Sequence, residues 1–228
     1  MKNLLIIILL VVIAPWKCIA QASETRTIGS FSGVKVTEGI DVYLKKGDKE
    51  SVRVEVTGTK IENIITEISG SYLRVHMRDG GYRGKIDAKV YVTYVKIDKL
   101  SASSAGSIFS EGTIEANDME VSASSAGSIE ITVNARSVES SVSSAGEIEL
   151  QGKTNSLEVD ASSAGQIDAY DLEAKKVSAE ASSAGTLKVN AVEELEARDS
   201  SGASIRYHGN PNKSITDSSS GGSVKKSN

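Results

Sequence analysis

SASSAGSIEI, residues 122–131, holds the word on which the fold turns. Its core, SSAG, stands at 103–106, 124–127, 143–146, 162–165 and 182–185. Degenerate copies follow as SSGA at 200–203 and SSGG at 219–222. The steps between copies run from 18 to 21 residues. A period near 19 is too short for a helix pair or a propeller blade, and it suits one coil of a β-solenoid. The residues around the word agree. Five positions after its first serine come Ile108, Ile129, Ile148, Ile167, Leu187, Ile205 and Val224. Two further on come Ile131, Leu150, Ala169, Val189 and Tyr207, and Val121/Ala123 and Val159/Ala161 alternate ahead of it. Each coil therefore offers an inward row of small aliphatics that only stacking can bury.

Read this way, SSAG is the corner of the coil. Its first serines form one unbroken rank and its second serines another. Gly106, Gly127, Gly146, Gly165 and Gly185 close the word, where glycine permits a positive φ and close approach of neighbouring backbones. The serine hydroxyls are expected to bond along the rank or to the turn backbone. An ice-binding or glycosylated array is the functional alternative. An ice-binding face would more naturally carry threonine in a bulkier, flatter rank, so the structural corner is preferred.

A charged rank follows the corner. Six positions after the first serine come Phe109, Glu130, Glu149, Asp168, Lys188, Arg206 and Lys225, three acids and then three bases. A second acidic rank holds Glu120, Glu139, Glu158 and Glu196. Stacked like charges repel, and calcium among the acids is one resolution. A solvated outer face is the simpler one and is preferred, with no metal or cofactor expected. Glu130, Glu149 and Asp168 remain weak candidates for a binding site.

Residues 26–97 carry a different grammar. IDVYLKKGDKESVRVEV (40–56) alternates on both sides of KKGDKE and reads as an antiparallel hairpin. Ile40, Val42 and Leu44 share a face with Val52, Val54 and Val56. IENIITEI (61–68) fits a short helix or a strand, and strand is preferred. YLRVHM (72–77) and IDAKVYVTYV (86–95) alternate around RDGGYRG. Aromatic side chains gather in this region, and Tyr82 in its glycine-rich loop is a further weak binding candidate.

The chain opens MKNLLIIILLVVIAPWKCIAQA, with Lys2, an apolar run from Leu4 to Ala14, and small residues at Ala20 and Ala22. That is a secretory signal pattern, too short to span a bilayer. Lys17 before Cys18 argues against lipid attachment. Cleavage removes the chain's one cysteine, leaving no disulfide, thiol nucleophile or thiolate metal site. It also removes Lys2 and Lys17, taking the net charge from −4 to −6. An acidic exported protein is a poor partner for nucleic acid or an anionic membrane. The product is expected in the periplasm, on the outer-membrane surface or outside the cell. His76 and His208 lie apart with no zinc spacing, and GxSxG, HExxH and phosphate-loop motifs are absent. No catalytic residue is expected.

These features resemble the bacterial head-GIN domain family, the DUF2807 group of auto-transporter adhesins. FSGVKVTEGIDVYLKKGDKESVRVEV carries the likeness, with EGID (38–41) where the family has Gly-Ile-Asn and SSAG where it has GSG-like corners. The resemblance covers about residues 26–225. It implies a right-handed β-helix-like solenoid, no catalytic residues and a role in adhesion. The chain ends SVKKSN without a membrane barrel, so autotransport is not carried over.

The expected architecture is all-β. A signal peptide (1–22) precedes a β-rich region (23–97) that packs on or caps a solenoid of about seven short coils (98–228). The expected function is an exported, non-enzymatic binding or adhesion module of the bacterial envelope, with a glycan or an envelope protein as partner. A self-assembling envelope component, and so a homo-oligomer, is the alternative. A carbohydrate-active enzyme is a distant third.

Overall fold

The computed structural model describes residues 21–80 and 84–227. The expected signal segment as far as Ala20, with Cys18 in it, and Tyr82 lie outside the described residues. The fold is a β-solenoid of about seven turns. Its repeating strands are β9 (Ser107–Ala123), β10 (Ser128–Val142), β11 (Glu147–Ala161), β12 (Gln166–Ala181) and β13 (Thr186–Asp199). They follow β1 (Ala22–Arg26), β2 (Gly33–Val36), β3 (Asp41–Lys46), β4 (Ser51–Thr57), β5 (Ile64–Ser69), β6 (Tyr72–Met77), β7 (Asp87–Tyr94) and β8 (Lys99–Ala102). The chain closes with β14 (Ser204–His208), β15 (Lys213–Ser218) and β16 (Ser223–Lys226). From β9 to β13 every neighbour is parallel, and Ile108, Ile129, Ile148, Ile167 and Leu187 share one register. All five are buried, as their spacing predicts.

One coil shows how the sequence makes its path. Ile129, Ile131, Val133 and Ala135 alternate inward, the phase slips across Arg136 and Ser137, and Val138, Ser140 and Val142 resume it. That slip uses no turn residues, and the strand runs through it unbroken. Differences in repeat length are absorbed mostly before it, where register shifts fall at Glu130/Thr132, Glu149/Gly152 and Ala169/Glu173, and once at the slip itself, at Ala174/Lys176. An added residue there bulges the strand and leaves the rows on either side intact.

SSAG is the tight corner. In residues 124–127 the Gly127 amide donates to the Ser124 carbonyl at 2.8 Å, while Ser125 and Ala126 have φ of 50° and 59°. Two central residues at positive φ mark a type I′ turn. The left-handed positions are thus Ser and Ala in the SSAG copies, and the glycine has another task. A Cβ on Gly127 would lie 2.4 Å from the Ala102 carbonyl oxygen, and one on Gly185 would lie 2.3 Å from that of Ala161. Glycine closes the word because the coil below leaves no room for a side chain. In 200–203 the roles separate: Gly202 takes a positive φ and Ala203 takes the closing position.

The corners also bond to one another through their backbones. Ala105 N–H donates to Ser125 O, Ala126 to Ser144, Ala145 to Ser163, Ala164 to Ser183 and Ala184 to Ser201, at 3.1–3.2 Å. Among the described residues the hydroxyls of the two serine ranks make no hydrogen bond. The expectation that they would satisfy the corner is therefore corrected: the peptide ladder runs straight through it.

Residues 26–97 join the same ladder. β2 and β3 flank TEGI (37–40), with Glu38 and Gly39 at φ of 65° and 67°, and Gly39 N–H donates to Ser104 O at 3.1 Å. TEGI is an earlier corner of the same kind. β6 lies parallel to β2, and β7 parallel to β3, as an outer coil. Antiparallel strands then close this end, β1 on β4, β4 on β7 and β5 on β6. The predicted 40–56 hairpin does not pair with itself, because β7 lies between β3 and β4. Both arms bury the predicted residues. Alternation reports which face is buried, and it cannot report whether a third strand intervenes. The ambiguous 61–68 segment is a single 3₁₀ turn, Ile61–Asn63, followed by strand.

The opposite end turns polar. The inward row Val75–Val36–Ala102–Ala123–Val142–Ala161–Ala181 continues into Asp199 and Ser218. β15 is exposed along its whole length, with Ser214, Thr216 and Ser218 at the inward register positions. A polar outer coil is how repeat proteins keep an end soluble.

The corner geometry predicts opposite outcomes at adjacent residues. Gly127→Ala forces a Cβ against the Ala102 carbonyl and should cost about 2–3 kcal/mol in urea denaturation. Ala126→Gly removes left-handed strain at the expense of chain entropy and should leave stability unchanged or raise it by up to about 1 kcal/mol. Equal losses at both positions would contradict this assignment.

Candidate interaction face

Parallel register places like positions of successive coils about 4.8 Å apart. One outer rank runs the length of the molecule: Tyr91, Tyr43, Phe109, Glu130, Glu149, Asp168, Lys188, Arg206, Lys225. The structure thus brings the predicted Glu130, Glu149 and Asp168 together in one line. It also adds an aromatic segment that the repeat alone does not reveal. Tyr91 and Tyr43 stack at 5.3 Å between ring centroids, and Tyr43 and Phe109 at 5.2 Å. The Arg53 guanidinium covers the Tyr91 ring at 4.1 Å. These rings meet face to face along the axis, so most of their faces are already occupied. A sugar that stacks on an exposed aromatic face finds little of one here.

The charged part of the rank is unevenly paired. Lys188 Nζ lies 2.7 Å from Asp168 Oδ2, and that hydrogen bond lifts the Lys188 ammonium above its ordinary range. Glu149 accepts a hydrogen bond from Gln151 at 3.0 Å. Among the described residues, Glu130, Glu149, Arg206 and Lys225 form no ion pair, and all four are exposed. Beside the rank, Tyr170 packs on His208 at 4.5 Å, and its hydroxyl meets Ser227 Oγ at 2.7 Å. This contact holds the last strand against an earlier coil. His76 lies elsewhere, 3.4 Å from Glu67.

The second acidic rank is also in register, Glu120, Glu139 and Glu158, with Ser178 and then Glu196 beyond. Lys99 closes one end through Glu120 at 3.1 Å. With Lys96, Asp98 and Asn117 these residues line an open recess of about 430 Å³. Its carboxylates are related by translation along the axis and do not converge on a point. Among the described residues, no group of three metal-ligating side chains comes together.

The tyrosines give a pH-dependent consequence. Burial raises the Tyr43 phenol above the ordinary tyrosine range, with Asp41 adding to the shift, and burial does the same at Tyr94, helped by Glu115. A phenol whose folded pKa is raised stabilises the fold below its unfolded pKa of about 10, and that contribution is lost as pH climbs through the folded value. Alkaline spectrophotometric titration should show late-ionising phenols that disappear when Tyr43 and Tyr94 are replaced by phenylalanine. Stability should fall above about pH 10, with a shallower fall in a Tyr43→Phe/Tyr94→Phe variant. An identical alkaline profile in that variant would contradict the assignment.

The profile of the family described as "Putative auto-transporter adhesin, head GIN domain" matches residues 30–211. Among curated proteins none matches the chain. Several solved structures share the fold at low identity. A "putative adhesin" from Bacteroides fragilis is 16% identical with a TM-score of 0.79, covering 91% of this chain and 97% of its own. A "putative lipid binding protein" from Parabacteroides distasonis is 20% identical, with a TM-score of 0.70 and coverage of 91% and 97%. A "putative adhesin" from Parabacteroides merdae is 15% identical, with a TM-score of 0.68 and coverage of 91% and 96%.

Proposed function

Because the chain belongs to the head GIN domain family, we propose that it is an exported adhesion module of the bacterial envelope that binds its partner without chemical turnover. The observation that carries this reading is the arrangement of its polar side chains. They stand in straight ranks on open faces, each coil repeating the last. Catalysis needs groups converging on one reacting atom, whereas a translational array suits an extended partner with a repeating surface. Export rests on the amino-terminal signal pattern. No helix among the described residues is long and apolar enough to cross a membrane.

We place the partner in the recess formed by Lys99, Glu120, Glu139 and Glu158. It is an open concavity of about 430 Å³ on a repeating face, and its rank of carboxylates fits a polymer bearing hydroxyl or amino groups at regular intervals. Residues 21–228 should be screened against immobilised bacterial polysaccharides, host glycans and matrix proteins, with product release followed in parallel. Saturable binding without products is expected, weakened at least tenfold in a Glu120→Ala/Glu139→Ala/Glu158→Ala variant. Released sugars or unsaturated products would overturn the non-catalytic reading. Unchanged binding in the variant would move the site off this face.

A further inference from the structure

The charges of the longer rank form a sequence with a centre. Glu130, Glu149 and Asp168 occupy three successive coils, and Lys188, Arg206 and Lys225 occupy the next three. Reversing the direction of the rank exchanges every acid for a base. The central pair, Asp168 and Lys188, is joined within the chain at 2.7 Å. The outer four have no ion-pair partner among the described residues. Each instead stands next to a like charge, an arrangement that destabilises neighbouring strands.

We propose that this face is the interface of an antiparallel homodimer, its two-fold axis lying in the interface plane, along the strand direction and midway between the Asp168 and Lys188 coils. About that axis Glu130 faces Lys225 of the second copy, and Glu149 faces Arg206 of the second copy. An isologous contact requires a surface complementary to itself, and this charge order meets that requirement. The flanking rank is compatible. Ser128 comes opposite Ser223, Glu147 opposite Ser204 and Gln166 opposite Thr186, so no like charges are brought together there. The six charged positions span about 24 Å at the usual strand spacing. That is a small and polar contact, below the size of standard stable interfaces. The dimer is therefore weak and sensitive to salt. The inference does not depend on which ligand the adhesin binds, because the acidic recess lies on a different rank.

The test is an exchange of charge within one chain. Glu149 and Arg206 are three coils apart, about 14 Å, too far to pair with each other in a monomer. Glu149→Lys and Arg206→Glu each place an opposite charge among its neighbours and so relieve repulsion inside the fold. Loss of association in either variant cannot then be attributed to unfolding. Sedimentation of residues 21–228 at about 100 µM in low salt should show a dimer, dissociating by about 0.5 M NaCl as the screening length shortens. Each single variant should be monomeric, and the double variant Glu149→Lys/Arg206→Glu should dimerise again.

A second readout uses the absence of cysteine after residue 18. Thr186→Cys lies beside the proposed axis and should be joined to its symmetry mate by a short bismaleimide linker. Ser128→Cys lies at the far end of the rank and should not. A wild-type chain that stays monomeric in low salt would overturn the proposal, as would a double variant no better than the singles. Equal cross-linking at both cysteines would also overturn it.

Discussion

Hydrogen bonding along the solenoid axis cannot lapse at the corners, and most of the structure follows from that requirement. A strand turning sharply exposes peptide groups that need partners. Here the partner is the peptide of the next coil, as Ala126 N–H to Ser144 O illustrates. Keeping that bond requires corners of one backbone shape, stacked so closely that the SSAG copies leave no room for a side chain, with Ala203 of the SSGA copy the exception. The glycine of the word meets the second condition, and the paired positive φ angles meet the first. Left-handed backbone at Ser and Ala costs about 1–2 kcal/mol per residue. The cost is borne because a corner of different shape would break the ladder above and below it.

Strict stacking then governs the side chains. Any residue chosen for one coil has the corresponding residue of the next coil about 4.8 Å away. Inward rows are mostly apolar and small, with Ser140, Thr154 and Asp199 the buried polar exceptions, and outward rows must reconcile their charges along the axis. The aromatic segment achieves this by ring stacking, ending beneath Arg53. Asp168 and Lys188 achieve it by direct pairing. Glu130, Glu149, Arg206 and Lys225 do not achieve it within the chain. Parallel ranks also explain why an adhesion reading suits the molecule better than a catalytic one. The solenoid lays its functional groups out in lines, and it offers partners an array in place of a pocket.

The repeat made the solenoid half legible at once, because SSAG marks the corner and Ile129 and its equivalents mark the core. The task of the glycine was only half legible. A glycine in that position suits either a positive φ or a close approach, and only the position of Ala102 decides between them. The first region was harder. TEGI and the strands around it align with SSAG, Val36 with Ala102 and Val42 with Ile108, but the chain departs after Lys45 and returns to the pattern only at Lys99. That interruption hides the outer coil and makes β3 and β4 resemble a hairpin. The same gap conceals the continuation of the rank beyond Phe109 into Tyr43 and Tyr91. Once Val42 is aligned with Ile108, Tyr43 follows beside Phe109. The acids at 130, 149 and 168 were legible from spacing alone, since the period between those coils scarcely varies.

Amide hydrogen exchange at the corners tests the central claim most directly. Ala126, Ala145 and Ala164 carry exposed side chains, and in an ordinary surface turn their amides would exchange quickly. A ladder that passes through the corners predicts protection comparable to that of the buried positions Ile129, Ile148 and Ile167. Fast exchange at the alanines beside slow exchange at the isoleucines would contradict that continuity, and would make the corners loose connections between separate strands.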